Sequence, residues 1–336
     1  MGRLNVHIAG LIVILVCLLK IPAPDALVTY SFALRVGVWL ALIFWVGKSD
    51  LWAAMFLGLA LASVLFFNGK AVALNQFKPL AVWALFLIYY VKDPENIVKI
   101  YIPAVLVVHV ALMLLQVFHG DPWSYDVLTG GPLRIPCGLV ADINASSALV
   151  AILAPSMFGF KKWRRLLWII PIAGLVLAKS CTGMVALGVS YIAYMLFLGK
   201  KREALISSGV CAAGAMLFIL FVDSPTISVR VQIIIATFYQ HWHSILVGVG
   251  IGNYAVRLPE LIEHYAHNEL VHYTTELGFI VPILFMGWVL TVFKKGNAIA
   301  RAGIVSSVTA SMFYFTMHNP LIAFVIVTWA ALGKKQ

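Results

Sequence analysis

Charge is what this chain has least of. Only 11% of its 336 residues are Asp, Glu, Lys or Arg, against about a quarter in an ordinary water-soluble domain. Acidic residues are the scarcer sign: 13 Asp and Glu stand against 24 Lys and Arg, leaving a net charge of +11. Cysteine is also sparse. Cys17, Cys137, Cys181 and Cys211 are scattered, and no spacing among them suits zinc or a redox pair. Cys17 and Cys211 sit in apolar runs as core residues. Cys137 and Cys181 fall on one side of the membrane in the topology below, which leaves a bridge between them open, subject to the strict geometry a disulfide needs. Strict apolar and polar alternation is missing too, which excludes an outer-membrane barrel.

What the chain has is hydrocarbon. It is 62% hydrophobic, with a mean hydropathy of +0.97. About 20 apolar residues cross about 30 Å of bilayer core, and the backbone must satisfy its own polar groups there, so helices are expected. We read twelve spans, at 6–21, 27–46, 51–67, 73–91, 97–117, 139–159, 165–179, 181–198, 204–222, 274–293, 299–316 and 320–333. The polar break Lys179-Ser180-Cys181-Thr182-Gly183 separates two spans that would otherwise merge. The expectation is an all-α polytopic membrane protein, residues 1–336 forming a single transmembrane domain. The first apolar run is read as a span and not a cleaved signal, for want of a small-residue cleavage site.

Cytoplasmic connections of membrane proteins carry an excess of Lys and Arg. With both termini cytoplasmic, the inner face holds Arg3, Lys48, Lys92, Lys99, Lys161, Lys162, Arg164, Arg165, Lys200, Lys201, Arg202, Lys294, Lys295, Arg301, Lys334 and Lys335. That is 16 of the 24 basic residues. Basic inner loops favour anionic lipid, so the positive charge calls for no nucleic acid.

The other eight cations, Lys20, Arg35, Lys70, Lys78, Arg134, Lys179, Arg230 and Arg257, lie outside or within spans. Arg35 falls mid-span, where a cation costs at least ~3 kcal/mol; it either pairs structurally or serves a polar cavity. Two outer connections are long, 118–138 and 223–273, and long connections are often functional. Arg presents a planar fork to phosphate oxygens and Lys a point charge. Arg230 is the leading candidate for a lipid diphosphate. It opens an expected amphipathic helix running to Gln240, and the competing reading is an interfacial residue that snorkels.

Residues 248–253, Gly-Val-Gly-Ile-Gly-Asn, place glycines at alternate positions. No strand precedes them, so a nucleotide-binding fingerprint is rejected; a tight turn supporting the site, with Gly250 and Gly252, fits better. The stretch 266–278 then sets a His-Asn pair and two carboxylates beside an apolar run. Histidine titrates near neutral pH, which makes His267 the candidate base. If 264–276 is one helix, His264, His267, Asn268 and Val271 share a face and Glu269, His272 and Glu276 share another. The second set is read as a supporting hydrogen-bond cluster, with a metal site on the same side as the competing reading. No zinc motif such as His-Glu-x-x-His is present, and no metal is expected. His7, His109, His119, His241, His243 and His318 are read as interfacial or packed imidazoles.

Together these residues resemble a family. Arg230, Gly248-x-Gly250-x-Gly252-Asn253, His267-Asn268-Glu269-Leu270 and Glu276-Leu277-Gly278 follow the order seen in the O-antigen ligase and polymerase superfamily. Gly138 to Asn144 with Ala148, and Ser180-Cys181-Thr182-Gly183, resemble two further family segments. The likeness covers roughly the C-terminal two thirds. One position departs: Cys181 stands where the family often has an Arg that helps hold lipid diphosphate, and Lys179 is the nearby substitute.

The resemblance implies a GT-C-like glycosyltransferase of the bacterial inner membrane, with its active site on the long periplasmic loop 223–273. It would move a glycan from undecaprenyl diphosphate to an acceptor sugar hydroxyl without a metal or other cofactor. His267 would be the general base and Arg230 the diphosphate ligand; Arg134, Lys179, Arg257, Asn268 and Arg35 are further substrate-binding candidates. A polymerase acts on another lipid-linked repeat and a ligase on lipid A core. The short chain, without an added soluble domain, argues against the larger protein-glycosylating relatives, and polymerase is favoured. Two rivals remain: a transporter or flippase, whose polar residues would sit near the midplane of repeated halves, and a structural membrane protein without chemistry.

Overall fold

The computed structural model describes residues 55, 58–59, 94–120, 135–140, 142–221, 225–250, 253–259, 262–263, 266–314, 316 and 319–334. The expected spans at 6–21, 27–46, 51–67 and 73–91, and Arg35, Arg134 and Gly252, lie outside the described residues or nearly so. The described residues are mostly helical. After a π-helical turn at Ile97–Tyr101 come α1 (Ile102–His119), α2 (Ile143–Leu153), α3 (Ile169–Ala178), α4 (Cys181–Phe197), α5 (Lys201–Phe221) and α6 (Pro225–His241). A two-residue hairpin follows, β1 (Val256–Arg257) antiparallel to β2 (Ile262–Glu263), with Val256 opposite Glu263. The chain ends in α7 (Glu269–Leu277), α8 (Ile280–Lys295), α9 (Ala298–Ser311) and α10 (Pro320–Lys334).

Ile97–His119 is long and apolar enough to cross a membrane, with a mean hydropathy of 2.3. The other expected spans after residue 91 each meet a helix, though several helices are shorter than the span drawn on them. Two differences have clear causes. The span at 139–159 starts late because Asp142, extended at φ −144°, accepts from Asn144 N and Ala145 N and so caps α2; an N-cap residue of this kind fixes the first turn. The span at 274–293 is broken into α7 and α8, because Gly278 takes a left-handed turn at φ +91° between them.

The chain forms two compact units. In its described part the first comprises Val229–Ala266 and Leu270–Leu290, and the second Val91–Ser228, His267–Glu269 and Thr291–Gln336.

The second unit buries hydroxyls and an indole N–H among apolar side chains. Ser190 Oγ donates to Ala302 O at 2.8 Å, Ser306 Oγ to Ala151 O at 2.7 Å and Trp329 Nε1 to Ile152 O at 2.9 Å, all buried. Small residues let helices approach, as in membrane bundles; a side chain on Gly303 would collide with the Trp329 indole. Outward, Val108, Leu115 and Phe118 on α1, Ile169, Ile172 and Val176 on α3, and Leu205, Ile206 and Val210 on α5 are exposed.

This unit also has two unlike ends. At one end lie Lys161, Lys162, Arg164 and Arg165 after α2, Lys200 to Arg202 between α4 and α5, and Lys294 and Lys295 closing α8. Aromatic rings line that end: Phe158 stacks on Trp168 with centroids 5.0 Å apart, Tyr191 meets both edge-on, and Arg301 lies over Phe197. The opposite end gathers polar side chains, the Asp142 carboxylate among them.

Candidate functional site

That opposite end is assembled from segments far apart in sequence. Asp142 accepts two backbone N–H groups on Oδ1, at 2.8 and 2.9 Å, and the Tyr314 hydroxyl on Oδ2. Three donors thus meet its two oxygens at a helix N-terminus. Two residues on, Asn144 Oδ1 accepts from Ser180 Oγ at 2.9 Å. Ser180 sits in the break between α3 and α4, and Lys179 before it closes α3 in the left-handed region at φ +49° with its side chain exposed. On the far side of Tyr314, the Met312 carbonyl accepts from Asn268 Nδ2 at 3.0 Å. A chain of bonds thus runs from the His267-Asn268 pair through 312–314 to Asp142, and from Asn144 to the Lys179-Ser180 break.

His267 is half-buried and takes φ +50°. Non-glycine residues adopt that conformation rarely, His being among those enriched there, and strained backbone collects at functional sites. The expectation of one helix over 264–276 is corrected here. Helix α7 starts at Glu269, so His267 precedes it in a bend and does not stand on the face with Val271. Asn268 is turned instead to Met312. Glu269 opens α7 and is buried.

His109 belongs to the same end. It is buried, accepts Leu139 N–H on Nδ1 at 2.9 Å, and lies 3.0 Å from Ser146 Oγ through Nε2. An acceptor Nδ1 puts the ring proton on Nε2. Gln116 accepts from Gly138 N at 2.7 Å. These two α1 side chains tie residues 138–139 to the start of α2, which agrees with reading His109 as a packed imidazole.

In the first unit, the other half of the predicted cluster is a separate device. His272 and Glu276, one turn apart, are both buried, with Nε2 and Oε1 3.4 Å apart. Glu276 Oε1 also accepts from Tyr254 N at 3.3 Å. The Tyr254 ring lies against His272 with centroids 4.7 Å apart, and its hydroxyl meets Thr237 Oγ1 at 2.6 Å. Burial pushes the Tyr254 hydroxyl up to about 12; the Thr237 bond opposes this and the Glu263 and Glu276 carboxylates add to it.

The glycine-rich turn has a definite task. Val249 N donates to Thr275 O and Gly250 N to Glu276 O, both at 2.9 Å. Those carbonyls belong to the last turn of α7 and lack partners within the helix. Gly248 is at φ +90° and Gly250 at φ +93°, and a side chain on Gly248 would collide with the Glu276 carbonyl. The turn therefore clamps the C-terminal end of α7. Arg230 is half-buried on α6, which starts at Pro225, five residues before the expected point. Arg257 is exposed on β1, its backbone bonded both ways to the Gln240 amide.

The structure thus joins Asn268, next to His267, to the Lys179-Ser180 break within the second unit, and brings His272, Glu276 and Gly250 together within the first. Among the described residues no three His, Cys, Asp or Glu side chains group as metal ligands, and Cys137, Cys181 and Cys211 carry no disulfide. Asp142 and Tyr314 were not singled out from sequence. Asp142 carries a readable signal, an N-cap residue before an apolar run; Tyr314, 172 residues away, carries none. No family model and no curated protein matches this chain.

Proposed function

We propose that this chain is an integral-membrane glycosyltransferase of about twelve spans, with the site around His267 on the periplasmic side. It takes a glycan from undecaprenyl diphosphate and passes it to an acceptor sugar hydroxyl in surface-polysaccharide assembly, most simply as a polymerase. The observation that carries this is the polar end of the second unit. There Asp142, Asn144, Ser180, Asn268 and Tyr314, from four distant segments, are bonded together away from the cationic end. Basic residues belong on the cytoplasmic side, so the polar end faces out. Exposed aliphatic residues on α1, α3 and α5, with buried hydroxyls between helices, support immersion in lipid. The bonded polar cluster lies at one end of the unit, whereas a transporter's site is expected near mid-depth.

In the reaction, the His267 imidazole takes the proton of the acceptor hydroxyl as its oxygen bonds to the anomeric carbon. The bond from that carbon to the diphosphate oxygen breaks, and the lipid diphosphate leaves with the electron pair. A general base works best with a pKa near ambient pH, and preorganised cations stabilise the charge that develops on the leaving group. Arg230 is assigned to that charge, with Lys179, Arg134 and Arg257 as further candidates. A single displacement inverts the anomeric centre.

The test is complementation by wild type and His267→Ala in cells lacking each candidate activity, with expression checked and surface polysaccharide read on a gel. A polymerase restores a ladder of chain lengths, and the variant leaves single repeats on lipid A core. Restored attachment of preformed chains alone identifies a ligase. A variant as active as wild type in both backgrounds removes His267 from the mechanism.

A further inference from the structure

The cationic end of the second unit holds a recess. Gly159, Phe160, Lys161, Lys162 and Arg164 line a cavity of about 330 Å³. Lys161, Lys162 and Arg164 are all exposed. Lys162 is held in the left-handed region at φ +53°, where the chain turns from extended Lys161 into a 3-10 helix at Lys162–Trp168. Three cations in four residues around one concavity make a receptor for a phosphate oxyanion.

A second feature starts one turn further on. Leu166, Ile169, Ile172 and Val176 are 75, 70, 53 and 61% exposed. In a 3-10 helix residues three apart eclipse, and α3 continues that line at steps of three and four. The four side chains therefore form one stripe leading away from the cations. At about 2 Å per 3-10 residue and about 1.5 Å per α residue, the stripe is roughly 16 Å long. That is about half the ~30 Å hydrocarbon core, the depth of one leaflet. The Phe158 and Trp168 stack lies where the polar and apolar parts meet, the level at which aromatic rings settle in bilayers.

We propose that this recess and stripe bind one anionic phospholipid of the inner leaflet, the phosphodiester on Lys161, Lys162 and Arg164 and an acyl chain along Leu166 to Val176. The proposal rests on the membrane reading above but not on the glycosyltransferase reaction. A free phosphate would use the cations without the stripe; a zwitterionic lipid would use the stripe with little benefit from the cations. Each cation near an anionic lipid contributes about fivefold in affinity, so removing three weakens binding on the order of a hundredfold.

The experiment is native mass spectrometry of the detergent-purified full chain, titrated with dioleoylphosphatidylglycerol, dioleoylphosphatidylcholine or inorganic phosphate. The expected result is a saturable phosphatidylglycerol adduct that phosphatidylcholine does not reproduce and millimolar phosphate does not displace. The triple variant Lys161→Gln, Lys162→Gln, Arg164→Gln should lose it about a hundredfold. The control triple Lys200→Gln, Lys201→Gln, Arg202→Gln, which removes as much charge from another exposed turn, should stay within about twofold of wild type. Equal binding of phosphatidylcholine, displacement by phosphate, or equal losses in the two triples would overturn the site. Carbonate extraction of the same cells separates the failures: a chain released from membranes sinks the membrane reading, and one retained without lipid selectivity sinks this site alone.

Discussion

Asn268 donates its side-chain amide to the main-chain carbonyl of Met312, 44 residues further on, at 3.0 Å. The residue beside the candidate base is thus anchored to the loop between α9 and α10. Two residues beyond Met312, Tyr314 is anchored in turn to Asp142, which caps α2.

The bend at position 267 separates fold from chemistry. Asn, like His, is among the non-glycine residues enriched in the left-handed region, so His267→Asn should keep the melting temperature within a degree or two of wild type. Loss of a general base should lower turnover by about 10²–10⁴-fold. A β-branched residue is a poor fit to φ +50°, so His267→Val should lower both. Parallel thermal melts in detergent and glycosyl-transfer assays test the pair.

Tyr314→Phe removes one hydroxyl and leaves the ring. Hydrogen bonds to charged groups contribute about 1.5–3 kcal/mol, so a stability loss in that range is expected by denaturant titration. Asp142→Ala removes the same bond and also the helix cap, worth a further 0.5–2 kcal/mol or so. The double variant should be no worse than Asp142→Ala within about 0.5 kcal/mol, because the hydroxyl has no carboxylate left to meet.

Two glycines should respond in opposite directions. Gly248→Ala drives a methyl into the Glu276 carbonyl at a positive φ and should destabilise by about 2 kcal/mol or more. Gly209 is exposed on α5 with nothing within 4 Å of an added methyl. Gly209→Ala should be neutral or stabilising by up to about 1 kcal/mol. Melting curves of the two variants decide it.

The Tyr254 hydroxyl, pushed up to about 12 by burial, sets an alkaline limit. In the unfolded chain it ionises near pH 10. Between those values the folded state holds a proton that the unfolded state has lost, so stability falls as pH rises from about 10 to about 12 and is unaffected below. Melting temperatures of wild type and Tyr254→Phe across pH 8–12 should diverge below pH 10 only by a constant, and converge above it.

Local signals were the legible ones. The break at Lys179-Ser180 is visible as a polar interruption of an apolar run, and the structure turns there through a left-handed residue. His272 and Glu276 lie four apart and meet on one helix face, as their spacing requires. The helix through 264–276 was not a sound inference, because the bend at His267 is imposed by contacts such as Asn268 with Met312 that no short window contains. The break at Gly278 was readable, since Gly commonly ends helices, but the apolar residues on both sides hid it. Asp142 with Tyr314, and Glu276 with Tyr254, are partnerships of chain topology and leave no local trace.

Segments contributing to the polar end arrive in the order 142–144, 180, 268 and 312–314. During synthesis the first two can meet as soon as α4 has left the ribosome, but the carboxylate of Asp142 waits for Tyr314, 172 residues further on. Nascent chains stalled anywhere before that point lack the hydroxyl that Asp142 accepts from, so this end of the unit is completed late. A truncated product would carry Lys179, His267 and Asn268 and still lack the bond that ties Tyr314 to Asp142.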